Sequence, residues 1–298
     1  MTKTKTEWIN CFRNKGKEII AQLGTSGKNR NDKASEINKG IKLYREELLS
    51  NVKNDAISES WKEDTLLNEI LLLTYGSYIA MLESRNAVWP YEYMAFARRI
   101  GELWEPFCKL PFEHPVKALD IIDPPDFGEV QQNIKDNFAA YVNSLEVDEE
   151  IKAELKNYYE IPWSLVDSGG IKLGLDLHFE QENIHYNCDF KSGFSSNEKG
   201  NTNRLLLVAS IYHSLGENER TYLFVRQNED ENNHYLQTLK NSPYWQVFCA
   251  DECYAAIYRF TGFNIREWID THIDWQNDIS SDFKAHLESN DLLRYLTW

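Results

Sequence analysis

The chain predicts a mixed α/β fold, in which a central β-sheet of mixed strand direction is flanked by helices and preceded by a helical N-terminal region. Three observations carry this. Residues 174–179 and 184–191 are short runs rich in aliphatic and aromatic side chains, and the Glu180-Gln181-Glu182-Asn183 between them is wholly polar, which reads as a β-hairpin. Upstream, Phe96, Ile100, Leu103 and Trp104 recur at helical spacing within 96–107, an amphipathic helix with Pro106 marking its end or a kink. Downstream, strand and helix patterns alternate, as an α/β sheet requires.

The elements follow in order. Residues 1–82 form the helical N-terminal region with a basic arm, and 83–298 the sheet-bearing core with C-terminal helices; 298 residues at 42% hydrophobic content suffice for one large core or two modest ones. After the hairpin, 192–204 is a polar, Gly-containing loop, and 204–215 is an apolar run that reads as a buried helix with a strand as the alternative. Tyr222 to Arg226 and Trp245 to Cys249 are strands, Asn233 to Leu239 is a helix, and Asp251 to Phe260 is a helix closed by Thr261-Gly262. Trp268, Trp275 and Trp298 punctuate the C-terminal helices and are expected to bury against the sheet. Trp89, Tyr91, Tyr93 and Phe96 are expected to serve packing and not base stacking.

The hairpin carries the chemistry. With its turn centred between Gln181 and Glu182, Asp176 lies opposite Asn187 and Asp189 is a diagonal neighbour on the same face, roughly 6–8 Å away between side-chain roots. Alternation puts Lys191 on that face too and turns Cys188 and Phe190 toward the core. Two carboxylates sharing one cation suit Mg²⁺, which prefers oxygen ligands and takes one or two carboxylates plus phosphate oxygens. A lysine alongside would orient a water and offset charge developing on a phosphate. Acidic-x-Lys occurs four times, at Glu150, Glu154, Asp189 and Asp282, but only Asp189 lies on a predicted strand after another strand bearing a carboxylate. His178, His185 and Cys188 fall on different faces of the hairpin, which argues against zinc.

With the helix Gly101-Glu102-Leu103-Trp104-Glu105 ahead of the hairpin, the chain resembles the PD-(D/E)xK nuclease superfamily, and within it type II restriction endonucleases. The resemblance spans roughly residues 83–268 in element order and implies a restriction-endonuclease-like core. It nominates Glu105, with Glu102 second, as a helix glutamate lent to a metal site held by Asp176 and Asp189, with Lys191 positioning the attacking water. Leu175 stands where the family pattern often has proline, a position that varies.

Double-stranded DNA is the implied partner. Asn197, Lys199, Asn203 and Arg204 in the loop after the hairpin have the chemistry to contact phosphates or base edges, and Lys28 and Arg30 lie in a basic arm around 24–33. Net charge is −15, unusual for a DNA-binding protein. Its distribution is uneven: residues 1–45 hold 11 basic against 4 acidic residues, whereas 101–298 hold 16 against 34.

No segment reads as spanning a membrane, since 66–82 is interrupted by Asn68 and Glu69, and the start lacks a secretory apolar region, so a cytoplasmic protein is expected. Five cysteines without paired or zinc spacing fit a reducing compartment. No phosphate-binding glycine motif is present, so no nucleotide cofactor is expected. The reading is a homodimeric, Mg²⁺-dependent type II restriction endonuclease, two-fold symmetry matching a palindromic site. Its alternatives are a DNA repair or recombination nuclease of the same fold and a non-catalytic acidic binding protein.

Overall fold

The computed structural model describes residues 2–164, 173–195 and 198–298. Three long helices open the chain: α1 (Lys5–Gly24), α2 (Arg30–Ser58) and α3 (Glu63–Val88). Thr4 and Glu7 form a reciprocal capping box at the start of α1. α3 is apolar on nearly every side and lies between α1, α2 and the rest of the protein. By length and composition it could cross a membrane, but 78% of its most apolar window is buried inside the protein, as befits a core helix. Gly76 lets α1 approach closely: a Cβ there would lie 3.0 Å from the Trp8 backbone.

α4 (Tyr93–Glu113) continues through Pro106 and Pro111 and does not stop at the first of them. Proline removes one helical hydrogen bond. Here Trp104, Phe107, Cys108, Leu110 and Phe112 are all buried on both sides of the prolines, and that packing holds the helix together. A two-residue strand, β1 (Asp120–Ile121), follows, then the helical pair α5 (Phe127–Ser144) and α6 (Glu149–Ser164).

The sheet is mixed. β2 (Leu177–Gln181) and β3 (Ile184–Lys191) form the hairpin; α7 (Lys199–Leu215), β4 (Glu219–Val225), α8 (His234–Lys240), β5 (Trp245–Cys249) and α9 (Asp251–Thr261) follow. Strand order is β1-β2-β3-β4-β5, antiparallel up to β3 and parallel from β3 to β5. Gly262, at φ +73°, closes α9 in the left-handed conformation that favours glycine. α10 (Ile265–His272), α11 (Trp275–Asp278) and α12 (Ser281–Ser289) complete the chain.

Three layers result. One face of the sheet carries Phe179, Phe190 and Phe224, which pack with Phe112 of α4 and Phe260 of α9. The other face meets α7 and α8 through Leu223, Val225, Leu205, Ala209, Leu236 and Leu239. The larger apolar cluster runs from Trp8 to Leu296, so the N-terminal helices and the sheet share one core across the 82/83 boundary. The C-terminal tryptophans complete that core differently from expectation: Trp268, Trp275 and Trp298 lie against α3 and α4, not the sheet. Trp268 Nε1 donates to Asn68 Oδ1 at 2.8 Å, Trp298 Nε1 donates to the Ile100 carbonyl at 3.2 Å, and Trp275 meets Tyr75 edge-on.

Candidate active site

The hairpin turn falls one residue later than its sequence suggested. Glu182 and Asn183 both take positive φ, 57° and 61°, the geometry of a two-residue type I′ turn. Asparagine tolerates that conformation and the Gln181-Glu182 alternative has none, so the turn settles on Asn183. Pairing becomes Leu177 with Cys188 and His178 with Asn187. Asp176 ends just ahead of β2, and the same register carried one residue further sets it across from Asp189, where the sequence reading had it opposite Asn187.

Asp189 is buried, at 1% exposure. Its Oδ2 lies 2.5 Å from Lys191 Nζ yet has no hydrogen bond of good geometry, and its Oδ1 is 3.6 Å from the Arg204 guanidinium. Asp176 Oδ2 accepts from the Phe190 amide at 2.8 Å and lies 3.8 Å from Lys191 Nζ. Burial, with Asp176 adding to it, pushes the Asp189 carboxyl up to about 7 against the pull of Lys191 and Arg204. Burial works against the Lys191 ammonium, but Asp189, Asp176 and Glu105 outweigh it and raise Lys191 above the usual lysine value. Lys191 therefore stays charged at neutral pH.

α4 forms the adjoining wall. Gly101 is required there because a Cβ would stand 2.7 Å from Ser192 Oγ, immediately after Lys191. One helical turn on, Glu105 faces the site, its Oε1 3.1 Å from Lys109 Nζ. Lys109 Nζ also donates to the Asp176 carbonyl at 3.3 Å. Glu102 pairs with Arg98 and Arg99 instead. Among the described residues no three His, Cys, Asp or Glu side chains gather as a ready metal cluster; the carboxylates that converge on Lys191 are Asp176 and Asp189.

The expected DNA contacts divide. Asn197 lies outside the described residues. The polar loop is shorter than its sequence suggested, because α7 already begins at Lys199; Lys199, Asn203 and Arg204 thus sit on a helix, all exposed, and Arg204 reaches Asp189. The basic arm is also shorter: α2 starts at Arg30 on the Asn29 cap, and Lys28 pairs with Glu36 at 2.7 Å. Neither Lys28 nor Arg30 is brought to the hairpin. A cleft of about 600 Å³ lies on the N-terminal and C-terminal helices, lined by Arg13, Lys17, Glu83 and Asp278, well separated in the fold from the two carboxylates.

Lys109 escaped the sequence reading, although its i+4 spacing from Glu105 was there to find. A polar chain on the same sheet face also escaped it. Leu175 N–H donates to His178 Nε2 at 2.8 Å, so the proton sits on Nδ1, which donates to Asn187 Oδ1 at 2.7 Å. Asn187 Nδ2 donates to Glu219 Oε2 at 2.6 Å, and His185 Nδ1 meets Glu219 Oε1 at 2.8 Å. Burial lowers the His178 pKa and keeps the ring neutral, whereas the Glu219 partner raises His185.

Comparisons with models of known protein families, with curated protein sequences and with solved structures give no match to this chain.

Proposed function

We propose that the protein is a Mg²⁺-dependent endonuclease of the PD-(D/E)xK kind that cuts duplex DNA, of the type II restriction class. The observation that carries this is the buried Asp189 beside Asp176, with the charged Lys191 between them, 2.5 Å from Asp189 Oδ2 and 3.8 Å from Asp176 Oδ2. A helix ahead of a hairpin, the order the resemblance implies, is present as α4, β2 and β3 with β1, α5 and α6 between them, and Glu105 on α4 pairs with Lys109, which also reaches the Asp176 carbonyl. The parallel strands β3 to β5 end at Lys191, Val225 and Cys249, and open α/β sheets bind ligands beyond that end of their strands.

Asp176 and Asp189 would hold the ion. Both offer the hard carboxylate oxygens that Mg²⁺ prefers, and one or two such ligands beside phosphate oxygens are what it usually takes. Mg²⁺ bound there supplies Lewis-acid polarisation of a phosphoryl oxygen and a bound water of lowered pKa. Lys191, held charged, cannot take a proton; it orients the water and offsets negative charge on the phosphate. Arg204, half-exposed beside Asp189, is placed to meet a phosphate. A cytoplasmic homodimer follows from the same reading, two copies facing a two-fold symmetric site.

The test is incubation of purified protein with unmodified phage DNA, with Mg²⁺ or with EDTA, beside Asp189→Ala. Discrete Mg²⁺-dependent fragments, absent with the variant, are expected. Smeared products would point to a repair or recombination nuclease of the same fold that cuts by structure. Intact DNA from folded protein would favour the acidic binding protein, which the 34 acidic against 16 basic residues after position 100 recommend.

A further inference from the structure

We propose that the cleft between α2, α3 and α4 binds a free nucleotide, with its phosphates on Lys39, Lys42, Arg45 and Arg99 and its base on an apolar floor. The inference goes beyond the nuclease reading and does not depend on it.

The cleft encloses about 460 Å³, within the size range of small-molecule sites. Four of its lining residues are cations and none is a carboxylate, in a chain whose net charge is −15. Lys39, Lys42 and Arg45 follow one another at three-residue steps of α2, ~4.5 Å apart along its axis, and Arg99 joins them from α4. Acids outside the lining reach two of the four: Glu46 lies 3.8 Å from Lys42 and Glu102 lies 2.9 Å from Arg99. Lys39 and Arg45 form no ion pair among the described residues. Glu36, whose charge Lys39 feels, is held by Lys28 at 2.7 Å, and the Arg45 guanidinium stands 5.5 Å over the Tyr78 ring. The larger cleft on the N-terminal and C-terminal helices differs in this respect, since Glu83, Asp278 and Asp282 there offset Arg13 and Lys17.

Tyr78, Met81, Leu103 and Pro106 floor the cleft with apolar surface. Duplex DNA presents its phosphates on a convex surface and would leave that floor uncovered, whereas a nucleotide carries phosphates and a flat ring in one small molecule. Asn38, on the α2 wall, has its Oδ1 buried without a hydrogen bond, which the amino group of a base would supply. No glycine-rich loop is needed, because lysine and arginine side chains make charge-assisted hydrogen bonds to phosphate themselves. Arg99, Leu103 and Pro106 share one face of α4 by their spacing, and Gly101 and Glu105 share another. No hairpin residue lines the cleft, so the nucleotide site is separate from the two carboxylates.

The test is isothermal titration calorimetry of the full-length protein in EDTA, which keeps divalent ions from the hairpin. ATP is expected to bind at one per chain, and tripolyphosphate or adenosine at least about tenfold more weakly, because each offers only half of the contacts. Lys39→Met and Arg45→Met should each weaken ATP by at least about tenfold. Lys17→Met, in the other cleft, should leave it unchanged. Arg45→Met also removes the contact with Tyr78; if that variant does not fold, Lys39→Met, an exposed side chain on the rim, decides. Absence of saturable ATP binding, tripolyphosphate bound as tightly as ATP, or undiminished ATP binding by folded Lys39→Met would overturn the proposal. So would binding of a short single-stranded oligodeoxynucleotide that ATP does not displace and Lys39→Met abolishes, which would give the cleft to a nucleic-acid strand.

Discussion

Two ends of one strand face differ in how their polar groups are satisfied. Asn187 and Asp189 are neighbours on the side of β3 that looks toward α7, and both are almost fully buried. Around Asn187 the hydrogen bonds close: Leu175 to His178 to Asn187 to Glu219, with His185 completing the Glu219 carboxylate. Around Asp189 ion pairs take their place: Oδ2 lies 2.5 Å from Lys191 Nζ without good hydrogen-bond geometry, Arg204 stops at 3.6 Å, and the carboxyl is pushed to about 7. Buried polar groups are normally satisfied, and local rules are broken where function requires it. The first end specifies the hairpin; the second is where the proposed function places its chemistry.

Substitution should separate the two ends. Asp189→Ala is expected to reduce Mg²⁺-dependent cleavage by at least about 10²–10³-fold, the scale of losing one electrostatic element of an active site, while circular dichroism stays unchanged. Asn187→Leu should do the reverse. It orphans His178 Nδ1 and Glu219 Oε2, and each unsatisfied buried group costs ~1–3 kcal/mol, so a loss on the order of 3 kcal/mol in urea unfolding is expected. Cleavage per folded molecule should change far less than in Asp189→Ala. Equal stability loss from both variants would erase the distinction.

What the sequence made legible follows the same line. β5 and the end of α9 could be read because apolar runs were punctuated by residues with strong local preferences, Gly262 above all. The chemical residues were readable because strand alternation alone places Asp189 and Lys191 together. The register was not, since choosing between Gln181-Glu182 and Glu182-Asn183 turns on one asparagine's tolerance of positive φ. α4 passing through Pro106, and the tryptophans settling on α3 and α4, are tertiary outcomes that no local pattern encodes. β1, two residues long, exists only because β2 offers it an edge. Lys109 went unseen because its second partner is a backbone carbonyl, which carries no sequence signal.

A pH comparison sharpens the contrast. The Asp189 carboxyl in the folded protein, at about 7, lies above its ordinary value of 3.8, so folding favours the protonated form. That contribution is complete below the unfolded value of 3.8 and is lost as pH rises through about 7. The stability of metal-free wild type relative to Asp189→Asn should therefore fall between pH 4 and pH 7 and level off above. Mg²⁺ added at pH 8 should restore wild type and leave the variant unmoved. A flat difference across that range would mean that Asp189 is ionised without strain, and the unsatisfied end would be no different from the satisfied one.

The smallest effect concerns cations away from the carboxylates. Lys28 is already neutralised by Glu36, on the corner between α1 and α2, whereas Lys199 is exposed on the first turn of the helix that carries Arg204. Each phosphate contact contributes about 0.9 to the slope of log K against log salt for duplex DNA. Lys199→Ala should lower that slope by about 0.9, and Lys28→Ala should leave it unchanged. Neither should alter the cut position, because phosphate contacts position the protein and do not read bases. A reduced slope in Lys28→Ala would show that DNA displaces Glu36 and reaches the α1–α2 corner, extending the binding surface from the unsatisfied end of β3 to the N-terminal helices.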